Sequence, residues 1–269
     1  MKWINLPMTS NKMEFLQKTG VPHTLYVTNN STTIKLINEP ITYFMAPSFM
    51  KKKDLSFVQK VKRAAQASGL PDQKVSAADI SYFRFNQVEQ SENVVEVDVN
   101  HAYWNIARQL GVINDKVFKE GEEVEKMTRL IGLGSLASKK KVFQFDGKNY
   151  HWIGYKYDQV LRSYFFRVSL ELDIIMRSIF SDIQQDSFFY WFDAFFVTPQ
   201  VAEYIAEEVK RFDLSVKTKP IRSIERIRDA QGYEYIKVAD KDKEGKGRIR
   251  TFFLPDQART LSGLSSYQI

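Results

Sequence analysis

Hydrophobic and polar residues alternate in short runs near the start of the chain, which predicts strands at 32–36 and 41–45. The apolar residues of the next patterned segment, 54–67, recur at intervals of three and four, as on one face of a helix: Leu55, Val58, Val61 and Ala65. The basic residues of this helix fall mostly outside that face: Lys60, Lys62 and Arg63. Such a basic face is typical both of a solvated helix and of one that contacts a phosphate backbone.

The middle of the chain begins with a dense run of β-branched residues, 93–100, which predicts a strand. A helical pattern follows at 102–110, and we expect a turn at 111–120. A second helical pattern starts at Glu122 and ends in a glycine-punctuated segment, 132–138. Two helices joined by a short turn form a helical hairpin.

The second half opens with a long helical pattern at 159–180. The aromatic run that follows, 187–197, is too short for a membrane span and is best explained as a buried β-hairpin with Asp193 in its middle. The remaining patterns predict a helix at 201–212, strands at 233–238 and 249–254, a charged hairpin tip at 240–247 and a tail at 262–269. The chain is therefore expected to have an α+β fold.

Composition adds a preference for polyanionic partners. The 269 residues carry a formal charge of +7, and the basic residues are clustered, for example at Lys139, Lys140 and Lys141. A net positive charge of this size also occurs in proteins that bind no charged partner.

The chain has no cysteine, which excludes disulfides, thiolate zinc sites and thiol nucleophiles. With neither a signal-like N-terminus nor a long apolar stretch, we expect a cytoplasmic protein that does not enter membranes.

Two aspartates stand in strongly apolar surroundings, Asp98 at the end of a strand and Asp193 within the aromatic hairpin. A buried carboxylate is costly unless a cation compensates it. Two carboxylates from separate strands suit a pair of divalent ions, although buried aspartates also serve as caps or as ion-pair partners. The spacing alone leaves both interpretations open.

The residues around these aspartates resemble family B DNA polymerases, and most closely the protein-primed phage and plasmid branch. Asp98-Val-Asn-His-Ala-Tyr103 is similar to motif A, Asp-x-x-Ser-x-Tyr-Pro. Lys126-Met-Thr-Arg-Leu-Ile-Gly-Leu-Gly134-Ser-Leu-Ala-Ser138 is similar to motif B, Lys-x-x-x-Asn-Ser-x-Tyr-Gly. Tyr190-Trp-Phe-Asp193-Ala stands where motif C, Tyr-x-Asp-Thr-Asp-Ser, belongs. The three partial motifs occur in the family's order, within about residues 90–200.

The resemblance implies a template-directed DNA polymerase that uses two Mg²⁺ or Mn²⁺ ions. Asp98 and Asp193 would be the catalytic, metal-binding carboxylates, with the main-chain carbonyl of Val99 as a further ligand. Tyr103 would exclude the 2′-hydroxyl of a ribonucleotide. The incoming deoxynucleotide would also meet three residues of motif B: Lys126, Arg129 and Gly134. The primer–template would be contacted by Lys139, Lys140 and Lys141 and, near the primer end, by Tyr233 or Tyr235.

The resemblance also implies a division of the chain. An α+β region that contacts nucleic acid would span 1–90. An antiparallel palm backed by helices would comprise 91–103 and 139–200, with a fingers hairpin at 104–138. The palm end and a small thumb-like region would follow at 201–269. No Asp-x-Glu pair precedes motif A, so a 3′–5′ exonuclease is not expected, and the short distance between motifs A and B leaves processivity or priming to a partner protein.

The chain departs from the family in several places. Trp191 replaces the first aspartate of motif C, and Ala194 replaces its serine. His101 replaces the serine of motif A, and Leu130-Ile131 stands in place of the Asn-Ser pair of motif B. These changes bring fidelity, rate and activity itself into question.

Two other functions therefore stay open: a replication protein that binds nucleic acid on a palm scaffold without catalysis, and an unrelated α+β protein with structural aspartates. A Ser/His/Asp triad and a Walker phosphate loop have no support in the sequence. The likeness to phage and plasmid enzymes associates the chain with a virus or a mobile element, and thus with a host cytoplasm.

Overall fold

The computed structural model describes residues 4–7, 10–28, 31–45, 51–71, 74–86, 90–242 and 245–253. The chain divides into two compact units, each built from two separate stretches. The first unit comprises Met1–Asp72 and Gly111–Phe165, and the second comprises Gln73–Leu110 and Phe166–Ile269. The expected tail at 262–269 and part of the charged hairpin tip lie outside the described residues.

The described residues form fifteen strands and seven α-helices. The strands are β1 (Ile4–Pro7), β2 (His23–Val27), β3 (Thr32–Leu36), β4 (Ile41–Met45), β5 (Phe83–Phe85), β6 (Gln90–Ser91), β7 (Val94–Val99), β8 (Lys140–Phe145), β9 (Tyr150–Lys156), β10 (Ser187–Trp191), β11 (Ala194–Val197), β12 (Val216–Ile221), β13 (Ser223–Arg228), β14 (Glu234–Lys241) and β15 (Gly247–Phe253). The helices are α1 (Ser10–Lys18), α2 (Lys52–Ala67), α3 (Ala102–Gln109), α4 (Asp115–Glu122), α5 (Lys126–Gly134), α6 (Gln159–Asp182) and α7 (Ala202–Lys210). This mixture of helices and sheets confirms the expected α+β class.

The strongest periodic patterns gave the right elements. Strands β3 and β4 have the expected bounds, and α2 and α6 differ from their expected bounds by only two residues at one end. The expected turn at 111–120 was wrong, because helix α4 begins within it. The Asn114 side chain accepts a hydrogen bond of 3.0 Å from the Val117 N–H and so caps this helix.

The first unit contains a six-stranded sheet in the order β1-β4-β3-β2-β8-β9. Its strands pair antiparallel except for β1 and β4, which are parallel. One face is covered by apolar residues that pack around Leu16 of α1 and Ile34 of β3. Strands β8 and β9, expected in the palm, thus belong to the sheet of the first unit.

Helices α2 and α5 of the first unit approach each other closely at Gly132. A Cβ atom at this position would lie 3.1 Å from Cγ2 of Val61, which is fully buried. A side chain at position 132 would therefore require Val61 to shift by a few tenths of an ångström.

The second unit contains a five-stranded sheet, β12-β7-β11-β10-β5, and a four-stranded sheet, β15-β14-β13-β6, both antiparallel. Buried side chains of the two sheets form one hydrophobic cluster, which includes Phe189 and Phe196 from the first of these and Ile224 and Ile236 from the second. Sheets that share a core in this way form a sandwich.

A buried ion network also joins these two sheets. Asp240 of β14 is 3% exposed, and its carboxylate contacts Lys219 at 3.0 Å, Arg248 at 2.7 Å and Arg250 at 3.0 Å. Arg250 also donates two hydrogen bonds, of 2.7 and 2.8 Å, to the carboxylate of Glu96 in β7. The cations lower the pKa of Asp240 to about 2, with the hydrogen bonds from Arg248 as the largest cause.

None of the helices within the described ranges is long and apolar enough to cross a membrane.

Candidate active site

The β10–β11 hairpin brings the two predicted aspartates to neighbouring strands. Trp191 pairs with Ala194, so that Phe192 and Asp193 form a two-residue turn. Ala194 in turn pairs with Asp98 of β7, and the Val99 N–H donates a hydrogen bond of 2.8 Å to the main-chain oxygen of Asp193. Asp98 and Asp193, 95 residues apart in the chain, therefore lie at the same end of one sheet.

The Asp98 carboxylate has a cation beside it. Lys217 is its register partner on β12, and the Lys217 ammonium contacts Oδ2 of Asp98. The lysine side chain is 62% exposed and the aspartate side chain 19%. The pair is thus accessible to water, and such ion pairs contribute little to stability.

Tyr103 lies close enough to Asp193 for the aspartate charge to affect its phenol. It stands in the first turn of α3, directly after His101 and Ala102, and is half-buried. Burial raises the pKa of its phenol well above the usual range, and the charge of Asp193 is the next largest cause. The phenol is therefore neutral at physiological pH and can donate a hydrogen bond.

The hairpin turn is supported by Asp173, which the sequence analysis missed. This α6 residue is 3% exposed, and its carboxylate accepts hydrogen bonds from the main-chain N–H groups of Ser81 (3.0 Å) and Tyr82 (3.1 Å) and from the Tyr190 hydroxyl (3.0 Å). The Tyr82 carbonyl then accepts a hydrogen bond of 2.7 Å from the Phe192 N–H, directly before Asp193. An aspartate inside an apolar helix pattern was the signal that could have revealed this support.

Backbone strain concentrates around the same end of the sheet. Among the described residues, four non-glycine residues have positive φ angles, and three of them are Tyr82 (62°), His101 (49°) and Phe192 (55°). Tyr82 and Phe192 also bring their ring centroids within 5.2 Å of each other. Such conformations cost about 1–3 kcal/mol each and cluster at active sites and ligand-binding sites.

The oxygen ligands at this end of the sheet are of the kind that divalent cations prefer. Asp98 and Asp193 offer carboxylate oxygens, which Mg²⁺ and Mn²⁺ prefer. Val99 follows Asp98 on β7, and its main-chain N–H is hydrogen-bonded to the main-chain oxygen of Asp193. Within the described ranges no group of three or more acidic or histidine side chains forms a metal-binding cluster. A metal ion bound at Asp98 would compete with the Lys217 ammonium.

The predicted motif B residues all belong to the first unit. Lys126 begins α5 and is exposed, whereas Arg129 is only 8% exposed, and burial lowers the pKa of its guanidinium. A Cβ atom at Gly134 would meet nothing within 4 Å, so the packing of the chain itself does not require this glycine.

The predicted nucleic-acid contacts fall in both units. Lys139 of the first unit lies over the ring of Tyr155, with its ammonium 3.9 Å from the ring centroid. Tyr233 and Tyr235 of the second unit are half-buried, and the ring centroid of Tyr235 is 5.9 Å from that of Phe253.

No protein-family model and no curated protein matches this chain.

Proposed function

We propose that the protein is a metal-dependent, template-directed DNA polymerase that transfers a nucleotide from a deoxynucleoside triphosphate to a primer 3′-hydroxyl. The observation that carries the proposal is the pairing of β7 with β11, because it sets Asp98 beside the turn that carries Asp193. Two carboxylates held in this way are the protein contribution to a two-metal nucleotidyl-transfer site.

In this proposal Asp98, Asp193 and the Val99 carbonyl hold two Mg²⁺ or Mn²⁺ ions. Bound ions of this kind stabilise the charge that develops on phosphoryl oxygens during transfer. Asp173 keeps the turn that carries Asp193 in place through the main chain of Tyr82. This support explains why the strained turn persists without glycine.

Tyr103 is proposed to select the sugar. Its ring lies close enough to Asp193 for the carboxylate to raise the pKa of the phenol, and a rigid ring at the carboxylates would leave no room for a 2′-hydroxyl. The nucleotide-binding roles of Lys126, Arg129 and Gly134 and the DNA contacts of Lys139, Lys140, Lys141, Tyr233 and Tyr235 remain predictions from the resemblance.

A second function, a non-catalytic nucleic-acid-binding replication protein, is favoured by two observations at the same site. The Lys217 ammonium already compensates Asp98. Trp191, which stands where the family has the first motif C aspartate, is packed among aromatic rings, and its ring lies 4.8 Å from that of Phe83 in a stacked arrangement.

Primer extension tests the proposal. The wild-type chain is incubated with a labelled primer on a DNA or an RNA template, the four deoxynucleotides and Mg²⁺ or Mn²⁺, beside Asp98→Asn and Asp193→Asn. Because loss of a metal ligand removes several kcal/mol of transition-state stabilisation, each variant should extend at least about a hundredfold more slowly.

The matched control is Glu203→Gln, which neutralises an exposed carboxylate in α7 of the same unit and should leave extension unchanged. Thermal unfolding of all four proteins establishes that the active-site variants are folded. If the wild type binds the primer–template but extends nothing with either metal, the proposed polymerase function is overturned. The non-catalytic function then becomes the better-supported proposal.

A further inference from the structure

A second candidate site lies entirely within the first unit. It is a cavity of about 480 Å³ between the polar face of the six-stranded sheet, helix α2 and the segments that follow α5 and β9. Among the described residues that line it, four are lysines and one is acidic. The lysines are Lys35, Lys62, Lys140 and Lys156.

The strand register brings three of these lysines together. Lys140 of β8 and Lys156 of β9 are direct register partners, so their side chains share one face of the sheet. The ammonium groups of Lys35 and Lys156 lie 5.9 and 5.7 Å from the ring centroid of Tyr26. Two ammonium groups from separate strands thus lie near one tyrosine ring, and Lys140 lines the same cavity.

Helix α2 adds the fourth lysine to the same cavity. Burial lowers the pKa of Lys62, and the nearby charge of Lys140 lowers it further. The pKa of Lys140 is lowered by burial and then by the charges of Lys156 and Lys35. Lys140 is therefore repelled by its lysine neighbours in a partly desolvated space, while Asp158 offsets part of the repulsion at Lys62. The remaining excess of positive charge opposes folding, and an anion would relieve it.

The remaining lining complements a phosphorylated ligand. The segment after α5 contributes the hydroxyl-bearing side chains of Ser135 and Ser138, and Tyr157 adds an exposed aromatic ring. The acidic residue, Asp158, accepts a hydrogen bond of 3.1 Å from the Leu161 N–H and so caps helix α6. A cavity of this volume is in the range of small-molecule sites.

We propose that this lysine pocket binds a polyphosphate group, as carried by a nucleoside triphosphate or by the 5′-triphosphate end of a nucleic acid. A triphosphate carries about four negative charges near pH 7, which matches the four lysines of the pocket. Single diester phosphates carry one charge each and match this compact cluster less well. The proposal does not depend on Asp98 or Asp193.

Calorimetric titration of the intact chain with inorganic tripolyphosphate tests the pocket directly. Lys62→Gln and Lys140→Gln each remove one charge-assisted contact, so each should weaken binding at least about tenfold. The matched controls are Lys119→Gln and Lys148→Gln, because these exposed lysines belong to the same unit but do not line the cavity. Both controls should bind within about twofold of the wild type.

Competition experiments identify the source of the polyphosphate. Displacement of tripolyphosphate by a nucleoside triphosphate, and not by the monophosphate, assigns the pocket to a free nucleotide. Displacement by an oligonucleotide with a 5′-triphosphate, and not by the same oligonucleotide with a 5′-hydroxyl, assigns it to a nucleic-acid end.

Two results overturn the proposal. One is an equal loss of affinity in the Lys148 and Lys140 variants, which indicates general surface attraction. The other is equal competition by the 5′-hydroxyl oligonucleotide, which indicates a site for backbone phosphates.

Discussion

Two charged clusters, one in each unit, have different surroundings. In the second unit Asp98 contacts Lys217, and Asp240 is held by three cations. In the first unit, Lys62 and Lys140 repel each other in the pocket, and Lys140 is also repelled by two more lysines. Charges that are paired within the fold stabilise it or are neutral, whereas like charges gathered in one cavity oppose folding and indicate a ligand. The following changes test this difference, from the largest expected effect to the smallest.

Asp240→Asn should have the largest effect on stability. The substitution leaves Lys219, Arg248 and Arg250 around a neutral, buried amide, and loss of one partner from a buried ion network typically costs about 3–5 kcal/mol. Urea unfolding measures the change. Glu225→Gln on β13, an exposed position, is the control and should shift stability by less than about 0.5 kcal/mol. A loss below about 1 kcal/mol for Asp240→Asn would show that the network is not a stabilising feature.

Acid should weaken the second unit through the same residue. The folded pKa of Asp240 is about 2, below its ordinary value of about 3.9, so its contribution of about 2 kcal/mol is fully present above pH ~4 and is lost as the pH falls toward 2. Unfolding free energies measured between pH 5 and pH 2.5 should reveal this loss. In Asp240→Asn the unfolding free energy should no longer show this loss between pH 5 and pH 2.5. An unchanged pH dependence in the variant would contradict the assignment of the loss to Asp240.

Lys140→Gln should change stability in the opposite direction. Removal of an ammonium whose pKa is lowered by burial and by the charges of Lys156 and Lys35 should raise the free energy of unfolding in the absence of any anion. Lys141→Gln, at an exposed position next to it, should change little. Thermal unfolding in a buffer without phosphate provides the comparison. If Lys140→Gln is less stable than the wild type, the four lysines do not oppose folding.

Lys217→Gln should have the smallest effect, because this ion pair is exposed. Stability should change by no more than about 1 kcal/mol, while Mn²⁺ should bind up to about fivefold more tightly once the ammonium no longer competes for Asp98. A Mn²⁺ titration followed by electron paramagnetic resonance measures the affinity. Weaker Mn²⁺ binding in this variant would mean that the lysine helps to form the site.

The sequence predicted the elements with strong periodicity and the two aspartates of the candidate site. Asp98 and Asp193 stood out because carboxylates in apolar strands need compensation, a local signal that one sequence contains. Helix α4 was missed because its cap and short apolar face were taken for a turn. Asp173 was missed because its partners, Ser81 and Tyr82, are about 90 residues away.

The lysine run at 139–141 shows what only the tertiary structure decided. In the sequence it is one basic cluster, but side chains of a strand alternate between two faces, so Lys140 of β8 lines the pocket and Lys141 does not. Lys139 precedes the strand and lies over Tyr155. Its partners in the pocket come from other strands and from helix α2. The sequence determined which residues carry charge and which segments form strands and helices, because those properties are local. The placement of Asp98 beside the turn that carries Asp193, and of the four lysines around one cavity, depends on strand order and register, which are set by contacts between segments far apart in the chain.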